Sequence, residues 1–285
     1  MSSNGKPFVF EDGGVRTLHF SDLSIQSAMW VDRPNDLMFG YTQCMLAFSV
    51  VNPTPENILI VGLGGGSLVK YCYQRFPRAK IVVLEVDANV IALSPAFDVP
   101  ECCDRLTILN VDAREFVRHD EKAFDVILQD GFDSNGIVPE MTSESYFRDC
   151  HRLLTPDGIF VSNNWGSSRS IGEQFARLLA VFGNSSLTWG RCKDSQNIVS
   201  LAFKSSYQLF QSKCSDTPVS FDCKGLPQLK LFVSNLVFFQ PKNKNDFPLR
   251  DRTHLSENIS EWNAKEIRKS LLIDFIRKAF QLAQK

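Results

Sequence analysis

The sequence lacks the patterns that mark a metal centre, a disulfide framework or a membrane span. Its eight cysteines form no Cys-x-x-Cys pair, and only four histidines are scattered along its 285 residues. No run reaches the roughly 18 consecutive apolar residues that a membrane-spanning helix requires. We therefore expect reduced cysteines, no metal and no membrane partner.

The sequence also lacks an excess of charge of either sign. Lysine and arginine total 31, aspartate and glutamate total 32, and the net charge is −1. A surface built for nucleic acid would carry a clear positive excess, so we expect no nucleic-acid partner. The first residues contain no apolar core of the kind found in secretory signal peptides, which predicts a cytoplasmic protein.

The first region, residues 1–50, has the pattern of short strands followed by a helix. Two β-rich runs, at 16–20 and 24–31, flank a polar turn. Apolar residues then recur at helical spacing over 34–51. This predicts a small N-terminal β-hairpin and a linking helix.

The rest of the chain divides into a regular domain and an irregular extension. Residues 51–204 alternate short, continuous apolar runs with amphipathic helix-length segments. This rhythm predicts an α/β domain with a mostly parallel sheet covered by helices on both faces. Residues 205–285 form a C-terminal extension, and apolar residues at helical spacing predict a basic amphipathic helix over 264–284.

The strongest local signal is the segment ILIVGLGGGSLV, in which a predicted strand leads into a glycine-rich loop and a helix. Gly62, Gly64 and Gly65 let the backbone turn sharply and approach a ligand closely. The N-terminus of the following helix offers free N–H groups to that ligand. The loop lacks the third glycine of a complete dinucleotide pattern and the Lys-Ser/Thr pair of a phosphate loop. It indicates a nucleotide site without identifying the nucleotide.

Carboxylates follow the next two predicted strands. Glu85 ends the second strand, where it can accept both ribose hydroxyls of NAD or of adenosylmethionine. Asp112 follows the third strand, where it can accept from an adenine amino group. Each alone would more often serve a helix cap, but three successive strand ends with ligand-type groups favour an adenosyl sulfonium compound over NAD.

The fourth predicted strand ends in LQDGFD, which carries a second pair of carboxylates. Asp130 and Asp133 have the spacing D-x-x-D at the mouth of the sheet. One carboxylate can hold a cationic amine while the other accepts its proton as the nitrogen becomes a nucleophile. For Asp133 in isolation, a turn that serves the backbone is the alternative interpretation.

Several motifs in one order carry a family resemblance. YTQCM, VVLEVD, VDAREF, FDVILQDGFD, PEMTSESYF and LLTPDGIFVSNNW resemble the spermidine synthase (polyamine aminopropyltransferase) family over about residues 16–204. The resemblance implies an N-terminal β-hairpin domain, a seven-stranded class I methyltransferase-like domain and a homodimer. It also implies transfer of an aminopropyl group from decarboxylated adenosylmethionine to putrescine, yielding spermidine and methylthioadenosine.

The resemblance assigns roles at matching positions. On the donor side, Glu85 would bind ribose, and Asp112 and Ala113 would bind adenine. These positions imply that adenosylmethionine or its decarboxylated form is the co-substrate.

On the acceptor side, Asp130 would accept the proton and Asp133 would hold the amine. Tyr41 matches a family tyrosine beside that amine, and Gln26 matches an N-terminal glutamine.

The sequence departs from the family in its glycine loop. Gly65 replaces the aspartate that grips the aminopropyl ammonium, so ordinary adenosylmethionine becomes more acceptable as the co-substrate. Thr42 stands where the family usually has Gln or Glu. The alternatives are an adenosylmethionine-dependent methyltransferase, a non-catalytic adenosyl-nucleotide-binding homologue and, less favoured, an NAD oxidoreductase.

Overall fold

The computed structural model describes most of the N-terminal two thirds of the chain and one later segment. The described residues are 6–21, 24–133, 136–184, 186–193, 195–208 and 226–238. All of them belong to one unit, Met1–Gln240. The helix predicted over 264–284 lies outside the described residues.

The N-terminal region forms an antiparallel sheet of three strands, one more than the sequence analysis predicted. The strands are β1 (Phe8–Asp12), β2 (Val15–Ser21) and β3 (Ser24–Trp30), paired in that order. Gly13 and Gly14 connect β1 to β2 with φ angles of 55° and 77°. Two positive φ angles give a two-residue turn the twist that matches the flanking strands, so this pair of glycines explains the extra strand.

The linking helix is shorter than predicted. The α-helix α1 covers only Gly40–Met45, and a 3-10 helix covers Leu46–Val50. Leu37 and Phe48 are buried in the core although they lie outside α1. The apolar spacing over 34–51 therefore predicted burial correctly. However, Leu37 precedes α1 outside any helix, and Phe48 lies in the 3-10 helix.

The central sheet has eight strands in the order β13-β11-β12-β10-β7-β4-β5-β6. Its strands are β4 (Asn57–Val61), β5 (Lys80–Glu85), β6 (Leu106–Asn110), β7 (Phe124–Gln129), β10 (Leu154–Asn164), β11 (Leu187–Arg191), β12 (Ile198–Phe203) and β13 (Val237–Phe238). β12 runs antiparallel to both of its neighbours, and β13 runs antiparallel to β11. The predicted seven-stranded α/β fold is confirmed, with the two-residue strand β13 added at one edge.

Helices and a small hairpin fill the connections. The remaining helices are α2 (Ser67–Arg75), α3 (Ala88–Leu93), α4 (Ala113–His119), α5 (Glu144–Leu153), α6 (Ser168–Phe182) and α7 (Pro227–Ser234). Further 3-10 helices cover Ser94–Phe97 and Pro139–Thr142, and β8 (Phe132–Asp133) pairs with β9 (Gly136–Ile137). Four of these helices begin at an Asp or Ser whose side chain accepts a backbone N–H, namely Asp87, Asp112, Ser143 and Ser167.

The strand order determines where a ligand can bind. From β4 the chain moves outward through β5 to β6, and it then returns to β7 on the other side of β4. The crevice at the carboxyl ends of β4 and β7 is thus the point where the order reverses, and open α/β sheets bind ligands at such a point. On the other edge, α7 and β13 come from the predicted extension 205–285. The domain limits 1–50, 51–204 and 205–285 remain predictions.

Three observations on the described residues concern membranes, metals and thiols. None of the described helices is both long and apolar enough to cross a membrane. The described residues contain no group of three or more His, Cys, Asp or Glu side chains that could hold a metal ion. Of the six described cysteines, Cys102 and Cys103 are exposed and the other four are buried.

Candidate active site

Gly62 brings the ends of β4 and β7 together. Its φ is +96°, and a Cβ at this position would lie 2.5 Å from the backbone oxygen of Asp130. The backbone N–H of Asp130 donates to the carbonyl of Val61 at 2.9 Å. Because only glycine permits this approach, the start of the glycine loop lies directly beside Asp130.

Glu85 lies beside the same loop, as the sequence predicts. One carboxylate oxygen accepts the backbone N–H of Leu63 at 3.0 Å, and the other accepts the N–H of Asp87 at 2.9 Å. Each carboxylate oxygen can accept more than one hydrogen bond. The side chain is therefore held in place by the backbone while it keeps acceptor capacity for ribose hydroxyls.

Asp112 is the N-cap residue of α4, which is one of the two interpretations that its position allows. Its contact with adenine stays a prediction. It caps α4 by accepting the backbone N–H of Arg114 at 2.8 Å, next to the buried Ala113. The Nε of Arg114 is also 3.0 Å from each carboxylate oxygen of Asp112. These hydrogen bonds from Arg114 lower the pKa of Asp112. An adenine amino group at this position must therefore share the carboxylate with a guanidinium, which the sequence analysis did not predict.

Asp130 is the centre of a hydrogen-bonded cluster. Its Oδ2 accepts from the Tyr41 hydroxyl at 3.2 Å, and its Oδ1 accepts from Nδ2 of Asn163 at 2.9 Å. Nδ2 of Asn197 in turn donates to Oδ1 of Asn163 at 2.8 Å. Tyr41 of α1 and Asn163 of β10 thus fix the orientation of the carboxylate that follows β7, and Asn197, which precedes β12, holds Asn163 in turn.

The surroundings of Asp130 suit it to proton transfer near neutral pH. Burial raises its pKa from 3.8 to about 7, although the hydrogen bonds from Asn163 and Tyr41 act in the opposite direction. Burial, with a smaller contribution from the nearby Asp130, raises the pKa of Tyr41 well above 10.0, so Tyr41 stays a hydrogen-bond donor. A carboxylate with a pKa near the working pH is an effective general base.

The two other predicted acceptor residues, Asp133 and Gln26, lie on β8 and β3. Asp133 belongs to β8, and of this residue the structure describes the backbone alone. Gln26 lies at an irregularity in β3, because Leu18 pairs with Ser27 and His19 pairs with Ile25. An extra residue of this kind redirects the side chain of a strand. The roles of Asp133 and Gln26 stay predictions.

Sequence reasoning missed Asn163 and Asn197. Asn163 lies near the end of the apolar run IFVSN, just as Asp130 follows the run DVILQ. Polar residues that end neighbouring parallel strands meet at one edge of a sheet, so this signal was present for Asn163. Asn197 precedes the antiparallel strand β12, and no comparable pattern marks it.

The hairpin sheet contacts the other end of the glycine loop. A Cβ on Gly65 would lie 2.6 Å from Oγ of Ser27 and 3.0 Å from Cδ1 of Phe97. The carbonyl of Phe97 accepts from the buried Nζ of Lys70 at 2.7 Å. The position where the family carries an aspartate is therefore closed to any side chain unless Ser27 or Phe97 moves.

A doubly wound sheet with a glycine loop and with carboxylates at its strand ends defines a class I methyltransferase-like domain, here joined to a β-hairpin sheet. Comparisons with known proteins narrow this class. Residues 38–175 match the family model described as the spermine/spermidine synthase domain.

Relatives and a solved structure agree with this match. The polyamine aminopropyltransferase of Chromobacterium violaceum is 36% identical over 204 residues, which cover 71% of this chain and 78% of the relative. That of Neisseria meningitidis serogroup A is 32% identical over 200 residues, covering 70% and 76%. A crystal structure of a probable spermidine synthase from Corynebacterium glutamicum shares the fold at a TM-score of 0.64 and 20% identity, covering 76% and 83%. The chain belongs to the spermine/spermidine synthase family.

Proposed function

We propose that this protein transfers an aminopropyl group from decarboxylated adenosylmethionine to a polyamine such as putrescine. The observation that carries the proposal is the Asp130 carboxylate beside the glycine loop, held by Tyr41 and Asn163 with a pKa of about 7. Membership of the spermine/spermidine synthase family and the names of the relatives support the same reaction.

The strand order supports a placement for the donor. The strands β6, β5, β4 and β7 are consecutive neighbours in the sheet. Glu85 ends β5, and Asp112, the glycine loop and Asp130 follow β6, β4 and β7. Adenine at Asp112 and ribose at Glu85 bring the sulfonium over the loop, with its reacting carbon turned toward Asp130. Val86 is 70% exposed and offers apolar surface for the base between these two carboxylates.

In the proposed reaction, Asp130 accepts the proton of the attacking amine. The nitrogen lone pair forms a bond to the carbon next to sulfur, and the electrons of the broken C–S bond remain on sulfur. Sulfonium becomes the neutral thioether of methylthioadenosine, and the proton lost by nitrogen goes to Asp130. The hydrogen bonds from Tyr41 and Asn163 orient the carboxylate, and orientation is a main contribution that the protein makes to such a displacement.

The acceptor, the assembly and the compartment belong to the same proposal. Asp133 would hold the far amine of the acceptor, and Gln26 would border the cleft from the hairpin. We propose a homodimer, as the family resemblance implies, and a cytoplasmic location, as the lack of a signal-peptide pattern predicts. Size-exclusion chromatography with light scattering tests the dimer, and a mass of about 32 kDa, that of one chain, would contradict it.

Methyl transfer from ordinary adenosylmethionine is the second candidate, and Gly65 is the observation that favours it. The loop carries no aspartate there to repel the carboxylate of adenosylmethionine.

A product assay separates the two reactions. The purified protein is incubated with putrescine and either decarboxylated or ordinary adenosylmethionine, and the products are identified by mass spectrometry. We expect spermidine and methylthioadenosine from the decarboxylated donor. A methylated amine with adenosylhomocysteine would establish the second candidate. Binding of a donor without any product would indicate a non-catalytic homologue.

A further inference from the structure

Ser27 lies on the glycine loop from the hairpin side. Its side chain belongs to β3 and is 7% exposed. A Cβ on Gly65 would come within 2.6 Å of Oγ of Ser27, and one on Gly64 would lie 3.9 Å from its Cβ. The hydroxyl therefore lies against the part of the loop that has no side chains of its own.

The Ser27 hydroxyl forms no hydrogen bond with any residue that the structure describes. Other buried serines do. Ser49, which is also 7% exposed, donates to the carbonyl of Leu46 at 2.6 Å. Ser162 and Ser200 are hydrogen-bonded to each other at 2.8 Å. Oγ of Ser27 is not among the fully buried side-chain atoms of the described residues that lack a partner, so it keeps access to solvent beside the glycine loop. A hydroxyl that is open at this loop and has no partner in the described residues can bind a ligand in the cleft.

We propose that the Ser27 hydroxyl binds the aminopropyl end of the donor and so helps to determine which donor is used. This inference rests on the proposed function and deepens it. A hydroxyl oxygen can accept from an ammonium group, so it can recognise a terminal amine without a carboxylate.

The proposed placement of the donor directs its aminopropyl tail toward the hairpin sheet. The adenosine half is assigned to the ends of β5 and β6, and the attacking amine to the Asp130 side at β7. The tail then leaves the sulfonium toward the hairpin, where Ser27 faces Gly64 and Gly65. Because Ser27 and Phe97 fill the space of a Gly65 side chain, the polar group that meets the tail comes from β3 instead of from the loop.

Calorimetric titration of the full chain tests this assignment with Ser27→Ala. Decarboxylated adenosylmethionine has the tail, whereas methylthioadenosine lacks its amine. We expect the variant to bind the decarboxylated donor about tenfold more weakly, as for loss of one hydrogen bond to a charged group. Its affinity for methylthioadenosine should equal that of the wild type. A purely structural role would change both affinities together.

The stability of the ligand-free protein gives a second readout. Ser27→Ala removes a hydroxyl that has no partner in the described residues, so its thermal midpoint should equal or exceed that of the wild type. Ser49→Ala is the matched control: it removes a satisfied hydrogen bond, so it should lower the midpoint without changing the ratio of the two ligand affinities.

Three outcomes would overturn the assignment. Equal affinity of the wild type and Ser27→Ala for the decarboxylated donor would exclude contact with the tail. If Ser27→Ala lost affinity only for ordinary adenosylmethionine, the hydroxyl would bind the carboxylate of that donor instead of the aminopropyl amine. Failure of the wild type to bind methylthioadenosine or either donor would overturn the proposed function itself, and the Ser27 assignment with it.

Discussion

An ionisable group lies on each side of the glycine loop, and burial disfavours the charged form of both. On the cleft side, burial raises the pKa of Asp130 from 3.8 to about 7. On the hairpin side, burial lowers the pKa of Lys70 from 10.5 to about 8. In both cases the charged form is disfavoured because the group is removed from water.

Their partners make these two groups different. Asp130 is partly accessible and accepts hydrogen bonds from the side chains of Tyr41 and Asn163. Lys70 is 1% exposed and donates to the backbone carbonyl of Phe97. Next to Phe97, the carbonyl of Ala96 accepts from Arg16 of β2. Asp130 faces the cleft and can exchange a proton with a substrate. Lys70 faces the core and stabilises the packing of α2 against the segment that contains Phe97.

The largest expected effect is the loss of turnover in Asp130→Asn. Removal of a general base typically lowers the rate by about 10²–10⁴-fold. Steady-state kinetics should show this fall, and titration should show that methylthioadenosine still binds.

Asp125→Asn is a matched control at the opposite end of β7. Asp125 accepts the backbone N–H groups of Glu56 and Asn57 at 2.8 and 3.0 Å, remote from the cleft. This variant should lose stability and keep its kcat. Wild-type turnover in Asp130→Asn would remove Asp130 from the mechanism.

Glu85→Ala should weaken binding of the adenosyl ligand by about 1–3 kcal/mol, because it removes a charged acceptor for the ribose. The same change frees the backbone N–H groups of Leu63 and Asp87, so the loop loses part of its support. Glu85→Gln keeps an acceptor and should lose less affinity in the same titration. Wild-type affinity in both variants would place the nucleotide elsewhere.

The pH dependence of kcat/KM should reveal the state of Asp130. The base must be deprotonated, so kcat/KM should rise with pH up to about 7. Bound cations favour the carboxylate, so the corresponding limb of kcat should lie at lower pH.

Loss of either donor to Asp130 should move the kcat/KM limb to higher pH. Asn163 lowers the pKa of Asp130 more than Tyr41 does, so Asn163→Ala should shift the limb further than Tyr41→Phe. Tyr73→Phe is the control, because that hydroxyl contacts Sγ of Cys103 at 3.6 Å. The reverse order of shifts would contradict this account of the cluster.

The pH dependence of the free energy of unfolding should distinguish Asp130 from Lys70, and these are the smallest effects that we predict. Between pH 3.8 and about 7 the folded state keeps a proton on Asp130 that the unfolded chain has lost, so this group makes stability fall as the pH rises. Between about 8 and 10.5 the unfolded chain keeps a proton that folded Lys70 has lost, so stability should rise with pH.

Chemical denaturation at a series of pH values measures both slopes. Asp130→Asn should remove the fall below pH 7, and Lys70→Met should remove the rise above pH 8. Lys204→Met is a control for the second slope, because Nζ of Lys204 also donates to a backbone carbonyl, that of Leu154, at 2.6 Å. An unchanged rise in Lys70→Met would mean that Lys70 titrates as it does in water.

The sequence by itself determined the α/β fold and the row of polar groups along one edge of the sheet. Glu85, Asp112 and Asp130 each end or follow an apolar strand, and the carboxyl ends of parallel strands align at one edge. The rhythm of continuous apolar runs was sufficient because these strands are buried on both faces. It did not reveal β11, since Thr188 and Gly190 interrupt its apolar pattern.

Only the tertiary structure decided which distant residues meet. Tyr41 and Asn163 reach Asp130 from other elements, and Ser27 closes the space beside Gly65. The pKa of Asp130 near 7 follows from its burial, which depends on the packing of all these segments. Local sequence patterns specify backbone periodicity, whereas the contacts that tune a side chain join residues far apart in the chain.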